Sequence, residues 1–301
     1  MEFPRTDLAL ELKEGITGKD SNGVHFDEKK KSNNIKVSTV VIENDNAVRI
    51  MHKPIGTYIT IEASDLDEDI DEDRSILIEE IANSIKKVSK GFDNKSVLIV
   101  GLGNKDITPD KLGPMVVDNL YITRHLFLNK VECFGENQNK IPIVSALSPG
   151  VMAQTGMESS EIISSVVDRI KPDLVIAIDA LAARSLNRLI KTIQIADTGI
   201  TPGSGVGNHR NAITHETIGV PVIAIGVPTV VDATTIVKDT MIKYLKTWQF
   251  EDCEINAFVN EIEIGAGTGL IVTPKNIDDQ IRLVSFAVAE AINKCIGEDE
   301  F

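Results

Sequence analysis

From residue 97 onward, short apolar runs of strand length alternate with segments whose apolar residues recur at helical spacing. The expected strands cover about 97–102, 141–146, 173–178, 192–196 and 220–226. The expected helices cover about 75–90, 111–128, 158–170, 180–190, 233–247 and 276–295. This alternation is typical of α/β proteins, in which helices flank a mostly parallel sheet. The sequence therefore predicts an α/β core, with long connections at 197–219 and 248–275.

The first 74 residues follow a different pattern. β-branched residues cluster at 35–42, 47–50 and 56–61 between turn-forming residues, which predicts a β-meander. Residues 14–34 are rich in Gly, Lys, Asn and Ser and are expected to form a loop. We therefore predict two units: an N-terminal β-rich extension over 1–74, packed on an α/β core over 75–301.

Two aspartates follow successive expected strands. Asp110 lies beyond the strand at 97–102, and Asp179 ends the strand at 173–178. Ligands of open α/β sheets collect outside the carboxyl ends of the strands, so loops there can bring distant carboxylates together. Two carboxylates that share a site cannot both ionise cheaply, so one keeps its proton to higher pH. Such a pair can act on a water molecule as base and acid.

Each aspartate also has a simpler structural interpretation. Asp is a preferred N-cap, and helices are expected to follow both residues. Asp110 would then cap a helix that begins at Lys111, and Asp179 would cap one that begins at Ala180. The capping and catalytic interpretations are compatible.

Composition limits the classes of function. A net charge of −14 argues against nucleic acid as a direct partner, because phosphate binding requires a basic face. The longest apolar runs fall far short of the ~20 residues that span a bilayer. The amino terminus has no signal-peptide pattern, and Cys133, Cys253 and Cys295 have no paired spacing. We expect a cytoplasmic protein with no membrane partner.

A glycine-rich stretch over 199–208 can bring backbone N–H groups close to an anion. It matches neither a P-loop nor a dinucleotide fingerprint, and the chain has no nucleophile elbow or zincin helix. The candidate substrate or oxyanion donors in this loop are Gly203, Ser204, Gly205, Gly207 and Asn208. A plain tight connection is the alternative.

Several motifs together closely resemble the germination protease family of spore-forming bacteria. They are Arg5-Thr6-Asp7-Leu8-Ala9, Gly101-Leu102-Gly103-Asn104, Thr108-Pro109-Asp110, Ser148-Pro149-Gly150-Val151-Met152, Ile178-Asp179-Ala180 and Pro202-Gly203-Ser204-Gly205-Val206-Gly207-Asn208. The resemblance spans nearly the whole chain. It implies an endopeptidase that cuts small acid-soluble spore proteins, the DNA coat of dormant spores. It also implies a homotetramer made as a zymogen, located in the spore core.

The resemblance maps the catalytic pair of the family onto Asp110 and Asp179. The fold is similar to that of hydrogenase-maturation endopeptidases, with a phosphorylase/hydrolase-like core, and Asp110 stands where those enzymes have a metal-binding glutamate. They also use a histidine, for which His209 and His215 are the nearest candidates here. Two carboxylates without His or Cys make a poor transition-metal site. We therefore favour aspartic-type chemistry with no cofactor, and a divalent metal between the aspartates is the alternative.

The expected reaction is hydrolysis of a peptide bond by a water held between Asp110 and Asp179. Arg184 can pair with an acidic substrate residue or make an ordinary salt bridge. The rival functions are a phosphate- or nucleoside-binding enzyme on a similar core and an inactive homologue. A basic cluster facing the 203–208 loop would favour phosphate binding, whereas two carboxylates close together would favour a peptidase.

The resemblance also places a processing site at the bond between Glu2 and Phe3. Substrates of the family are cut after an acidic residue and before an apolar one, usually with Ala next, but Pro4 stands at that position here. The two residues Met1 and Glu2 offer little surface to occlude a cleft. We expect weak inhibition or nearly full activity on synthesis, with residues 14–34 or 248–275 gating access.

Overall fold

The computed structural model describes residues 6–14, 23–32, 34–64, 71–92, 95–129, 141–203, 210–260 and 269–297. The strands in these ranges are β1 (Val24–Lys30), β2 (Ile35–Ile42), β3 (Gly56–Ala63), β4 (Ser96–Gly101), β5 (Ile143–Leu147), β6 (Leu174–Ala183), β7 (Thr192–Ala196), β8 (Val222–Asp232) and β9 (Ile271–Val272). The helices are α1 (Ala9–Glu14), α2 (Asp45–Met51), α3 (Asp71–Ser89), α4 (Leu112–Val117), α5 (Arg124–Leu128), α6 (Met152–Thr155), α7 (Ser159–Ile170), α8 (His215–Ile218), α9 (Ala233–Thr247), α10 (Asp252–Asn260) and α11 (Ile277–Ile296).

All described strands belong to one sheet, in the order β1-β2-β3-β7-β8-β6-β4-β5, with β9 paired to β8. Strands β5, β4, β6 and β8 are parallel to their neighbours within this group. The pairs β1–β2, β2–β3, β3–β7 and β7–β8 are antiparallel. The predicted α/β class, a large sheet flanked by helices, is confirmed. The division at residue 74 stays a prediction, and the early strands continue the sheet of the core through β3 and β7.

Helices cover both faces of the parallel strands. On one face, Ile99 of β4 packs in a cluster with Ile85 of α3 and Val288 of α11. On the other face, Leu98 packs with Ile163 and other residues of α7. Because strands covered on both faces bury every side chain, β4, β6 and β8 are nearly continuous apolar runs.

The amino-terminal segment lies against the far end of β6. Leu8 and Ala9 are fully buried. The N–H of Asp7 donates to the carbonyl oxygen of Ala182 at 2.9 Å, and the N–H of Ala9 donates to Gln194 Oε1 at 2.7 Å. These contacts bring residue 7 to the carboxyl end of the parallel strands.

The prediction of a helix at 180–190 is wrong. Strand β6 continues to Ala183, because its residues pair with β8 and their side chains are buried. Only a short 3-10 turn, Leu186–Arg188, follows. The Ala- and Leu-rich sequence favours a helix locally, but pairing with β8 determines the structure.

Other expected boundaries also differ from the structure. Residues 47–50 belong to α2, whose N-cap Asn44 accepts the N–H of Ala47 at 2.9 Å. Strand β1 lies within the loop expected at 14–34, and the helix expected at 111–128 is divided into α4 and α5. None of the described helices is long and apolar enough to cross a membrane.

Candidate active site

Asp110 is placed by the turn that leaves the carboxyl end of β4. The chain passes Gly103, whose φ of +112° favours glycine, and reaches a 3-10 turn at Thr108–Asp110. A Cβ on Gly103 would collide with the carbonyl oxygen of Asp110, so this close approach requires glycine. The N–H of Asn104 donates to Asp110 Oδ2 at 2.8 Å. The Gly-x-Gly-Asn turn therefore orients the Asp110 carboxylate.

Helix α11 holds the same turn from the other side. Thr108 Oγ1 and Lys111 Nζ donate to Asp278 Oδ1, at 3.0 and 2.8 Å, from either side of Asp110 in the sequence. The residue before α4 is Lys111, and no side chain caps that helix. The interpretation of Asp110 as an N-cap is therefore wrong, and its carboxylate instead accepts the N–H of Asn104.

Asp179 lies inside β6, opposite Gly226 of β8. The residue is only 4% exposed, and its Oδ1 accepts the N–H of Ala180 at 2.9 Å. The segment that leaves β4 passes beside it, since the N–H of Leu102 donates to the carbonyl oxygen of Ile178 at 2.8 Å. Because β6 continues past residue 180, the capping interpretation of Asp179 is also wrong.

Asp110 and Asp179 line one cavity of about 250 Å³. The charged residues among its described lining are Asp7, Asp110, Glu158, Asp179 and Arg210. Apolar lining comes from Leu102, Ile107, Val151, Met152, Leu181 and Ile271, among others. The structure thus brings the two predicted carboxylates to a shared and largely apolar space.

The two carboxyl groups differ in electrostatic environment. Burial raises the pKa of Asp179 well above its usual range, and the charges of Asp110 and Asp7 raise it further. The hydrogen bond from the N–H of Ala180 lowers this pKa but does not offset the increase. Burial also raises the pKa of Asp110, but the N–H of Asn104 favours its ionised form. Asp179 is therefore the group suited to hold a proton, and Asp110 is the group suited to accept one.

Asp7 brings a third carboxylate to the cavity. Its Oδ2 accepts the N–H of Ala182 at 2.9 Å, and its carbonyl oxygen accepts Gln194 Nε2 at 3.1 Å. The sequence predicts no role for Asp7, because the residue precedes every expected strand. Its place in Arg5-Thr6-Asp7-Leu8-Ala9, one of the motifs that carry the family resemblance, is the signal that could have found it.

Arg184 does not line the cavity. Its Nε and Nη2 donate to the two carboxylate oxygens of Asp239, with Nε–Oδ2 at 3.0 Å and Nη2–Oδ1 at 2.6 Å. Its backbone N–H donates to Glu11 Oε2 at 2.7 Å. The structure thus favours the salt-bridge interpretation of Arg184 over pairing with substrate.

The remaining candidates fall in several places. Gly203 lines the cavity, with a φ of +72°. Ser204, Gly205, Gly207 and Asn208 lie outside the described residues, as do His209, Glu2 and Phe3. His215 is exposed at the start of α8 and does not line the cavity.

A metal ion would find few ligands here. Within the described ranges, no group of three or more His, Cys, Asp and Glu residues is arranged to hold one. Asp110 and Asp179 supply only carboxylate oxygens, and such ligands suit Mg²⁺ or Ca²⁺ better than zinc or nickel. The residues that can be described do not fit a transition-metal site.

Comparison with known proteins identifies close relatives. A family model described as germination protease matches residues 6–256. A germination protease of Caldanaerobacter subterraneus subsp. tengcongensis is 45% identical, and the match covers 96% of this chain and 93% of the relative. A germination protease of Clostridium perfringens strain 13 is 42% identical over 96% of this chain and 94% of that protein.

One solved structure is more distant. The [NiFe] hydrogenase maturation protease HycI from Thermococcus kodakarensis KOD1 is 19% identical, and the match covers 70% of this chain and 98% of HycI. The TM-score of 0.36 is too low to support an argument from that structure.

Proposed function

Because the chain belongs to the germination protease family and is therefore a peptidase, we propose that it is the endopeptidase that initiates degradation of small acid-soluble spore proteins during germination. One observation carries the chemistry of this proposal. Asp110 and Asp179 line the same cavity, and their surroundings favour different protonation states. A peptide bond bound between them meets a base and an acid.

In the proposed reaction, Asp110 takes a proton from a water molecule, and the water oxygen attacks the carbonyl carbon of the scissile bond. Asp179 gives its proton to the carbonyl oxygen, which forms a neutral tetrahedral intermediate. The C–N bond then breaks, the leaving nitrogen receives the proton held by Asp110, and a hydroxyl of the intermediate returns a proton to Asp179. Both carboxyl groups end in their starting states.

The surroundings of the pair support this division of roles. The apolar side chains that line the cavity keep the dielectric low, which keeps Asp179 neutral and strengthens its hydrogen bond to the substrate. The backbone at Gly203 is a candidate donor to the developing oxyanion, with residues 204–208 as the proposed continuation of that site.

Phosphate or nucleoside binding is the weaker alternative. The described lining of the cavity holds one arginine and four carboxyl groups, of which Asp179 is the one that holds a proton in the proposed reaction. An anion such as phosphate would be repelled by such a surface, because like charges at close range in a poorly solvated site interact strongly. The same excess of carboxylates is compatible with a peptide substrate.

Further properties follow from the family and belong to the proposal. We propose a homotetramer in the cytoplasm of the spore, made as a zymogen that is cut between Glu2 and Phe3 and that is weakly inhibited or nearly fully active before this cut. Exposed aromatic residues support self-association, since such residues are enriched in protein interfaces; they include Tyr244 on α9, Trp248 directly after it and Phe258 on α10. We propose no cofactor, no direct nucleic-acid partner and no membrane partner.

The purified chain can be tested directly on a purified small acid-soluble spore protein, with intact mass spectrometry of the products. We expect cleavage at a few defined bonds, and unchanged activity after dialysis against a strong chelator. Activity that is lost on chelation and restored by zinc or nickel would assign a metallopeptidase instead. Absence of cleavage by both the full chain and a form that begins at Phe3 would contradict the proposed function.

A further inference from the structure

The charges of the active-site cavity are unevenly distributed. Its described lining has the carboxyl groups of Asp7, Asp110, Glu158 and Asp179, of which Asp179 holds a proton in the proposed reaction, and a single cation, Arg210. A negative group on a ligand is therefore repelled over most of the cavity and attracted only near the Arg210 guanidinium. Any acidic side chain that the cavity accepts has this one favourable position.

The guanidinium of Arg210 makes few and long contacts with the described residues. Among the described residues, only its Nη1 has partners: Glu158 Oε1 at 3.4 Å and Met152 Sδ at 3.6 Å. Charge-assisted hydrogen bonds of arginine are usually about 2.7–2.9 Å long, so this ion pair is long. Nε and Nη2 leave a donor fork that matches a carboxylate.

Glu158 is also committed elsewhere. Its side chain accepts a backbone N–H in the first turn of α7, and its own N–H donates to Glu161 Oε2 at 3.1 Å, which together form a capping box. Glu158 therefore divides its carboxylate between the helix cap and Arg210. A substrate carboxylate can displace this partner without leaving Glu158 unbonded.

The other arginines near the site differ in this respect. Arg184 donates to both carboxylate oxygens of Asp239, and Arg188 donates to Glu14 at 2.9 Å and to Glu62 at 3.0 Å. Neither lines the cavity. Among the described arginines, Arg210 thus both lines the cavity and has N–H groups available to bind a ligand in it.

We propose that Arg210 is a specificity-determining residue that binds the carboxylate of an acidic substrate side chain flanking the scissile bond. The inference rests on the proposed endopeptidase function. A cavity of about 250 Å³ is smaller than most pockets for drug-sized ligands, roughly 300–1,000 Å³, so it holds the scissile peptide bond and its immediate neighbours only. The apolar walls at Val151, Met152 and Ile271 then favour an apolar residue on the other side of the bond.

The test uses pairs of fluorogenic peptides that differ only by Glu or Gln at one position flanking the cut. For the full-length wild type, we expect a kcat/KM at least about tenfold higher with Glu, as for a hydrogen bond to a charged group. In Arg210→Gln, the Glu preference is expected to fall to near one, while cleavage of the Gln peptide stays within a few-fold of wild type. Arg184→Gln is the matched control and is expected to keep the preference.

Further outcomes separate specificity from structure. If Arg210→Gln lowers cleavage of both peptides equally and the preference survives, Arg210 has a structural role and the proposal is overturned. If Arg210→Gln does not fold, Glu158→Gln is used instead. This variant removes the charged partner of Arg210 and is expected to increase the preference for Glu over Gln in the peptide. An unchanged preference in Glu158→Gln would contradict the proposed role of Arg210. Failure of the wild type to cleave any peptide or spore protein would overturn the proposed function itself, whereas cleavage without a Glu preference overturns only the role of Arg210.

Discussion

Asp110 and Asp179 lie in different surroundings although they line the same cavity. Asp179 is inside a strand and almost fully buried, and the backbone N–H of Ala180 donates to its carboxyl group. Asp110 is half-buried at the end of a turn, where the N–H of Asn104 donates to its carboxylate. The sequence predicts both residues, because each follows an expected strand. It does not predict Asp7 or Arg210, since no local pattern relates either residue to the ends of the strands.

The raised pKa of Asp179 has a consequence for stability. This carboxyl ionises near pH 4 in an unfolded chain, whereas folding raises its pKa. At pH 7 the folded state is therefore destabilised, by about 1.4 kcal/mol for each unit by which the pKa is raised, counted only as far as pH 7. We expect Asp179→Asn to increase the free energy of unfolding at pH 7 and to lose this advantage as the pH falls to about 4. Urea denaturation at both pH values measures the free energy of unfolding of the variant and of the wild type. A variant less stable than wild type at pH 7 would contradict the raised pKa of Asp179.

Asp7 offers a second test at this scale. Its charge helps to raise the pKa of Asp179, so Asp7→Asn is expected to lower that pKa. The alkaline limb of the pH profile of kcat/KM reports ionisation of the acid and is expected to move to lower pH. The amide oxygen of Asn can still accept the N–H of Ala182, so the fold is expected to persist. Asp168→Asn, at an exposed position on α7, is the control, and a limb that stays in place in Asp7→Asn would refute this role.

At the scale of elements, the turn after β4 and the extension of β6 create the site. The turn is recognisable in the sequence because its glycines follow an apolar strand. The extension of β6 is not, because Ala180-Leu181-Ala182-Ala183 favours a helix locally and becomes a strand only through pairing with β8. The hydrogen bond between Asp7 and Ala182 depends on that extension.

The turn after β4 is expected to be sensitive to a single methyl group added at Gly103. Gly103→Ala would place a Cβ against the carbonyl oxygen of Asp110 at a positive φ, so we expect a loss of more than about 1 kcal/mol in stability. Displacement of Asp110 is expected to lower kcat by at least tenfold. Gly91→Ala is the control, because Gly91 also has a positive φ, +87°, but has open space around it. Thermal unfolding and kcat measure the two effects, and equal kcat values for the two variants would disprove the positioning role of Gly103.

At the scale of the whole molecule, one sheet connects the first strands to the last. Most of the parallel half is predictable, because its strands are short apolar runs and most of its helices have apolar residues at helical spacing. The antiparallel pairing of β3 with β7 is not, since it joins residues more than a hundred positions apart, such as Ile59 and Ile195. That pairing, together with the buried Leu8, holds the amino-terminal segment beside β6 and β8.

The proposed tetramer is also a property of the whole molecule. Trp248 is 65% exposed and packs edge-to-face against Tyr244, which is 57% exposed. If this surface joins subunits, Trp248→Ser is expected to shift the sedimentation coefficient from that of a tetramer to that of smaller species. Leu128→Ser, at another exposed apolar residue, is expected to leave it unchanged. A tetramer that persists in Trp248→Ser would exclude this surface as essential to assembly.

The central claim is that Asp110 and Asp179 together activate water. It is tested most directly by the kcat/KM of Asp110→Asn and Asp179→Asn on a small acid-soluble spore protein, with Asp168→Asn as control. Asn keeps the volume of the side chain but cannot take up or release a proton in the reaction, so both variants are expected to lose about 100- to 10,000-fold in kcat/KM while they remain folded. The control is expected to match wild type. Retention of activity within tenfold of wild type by either folded Asn variant would contradict the two-aspartate mechanism.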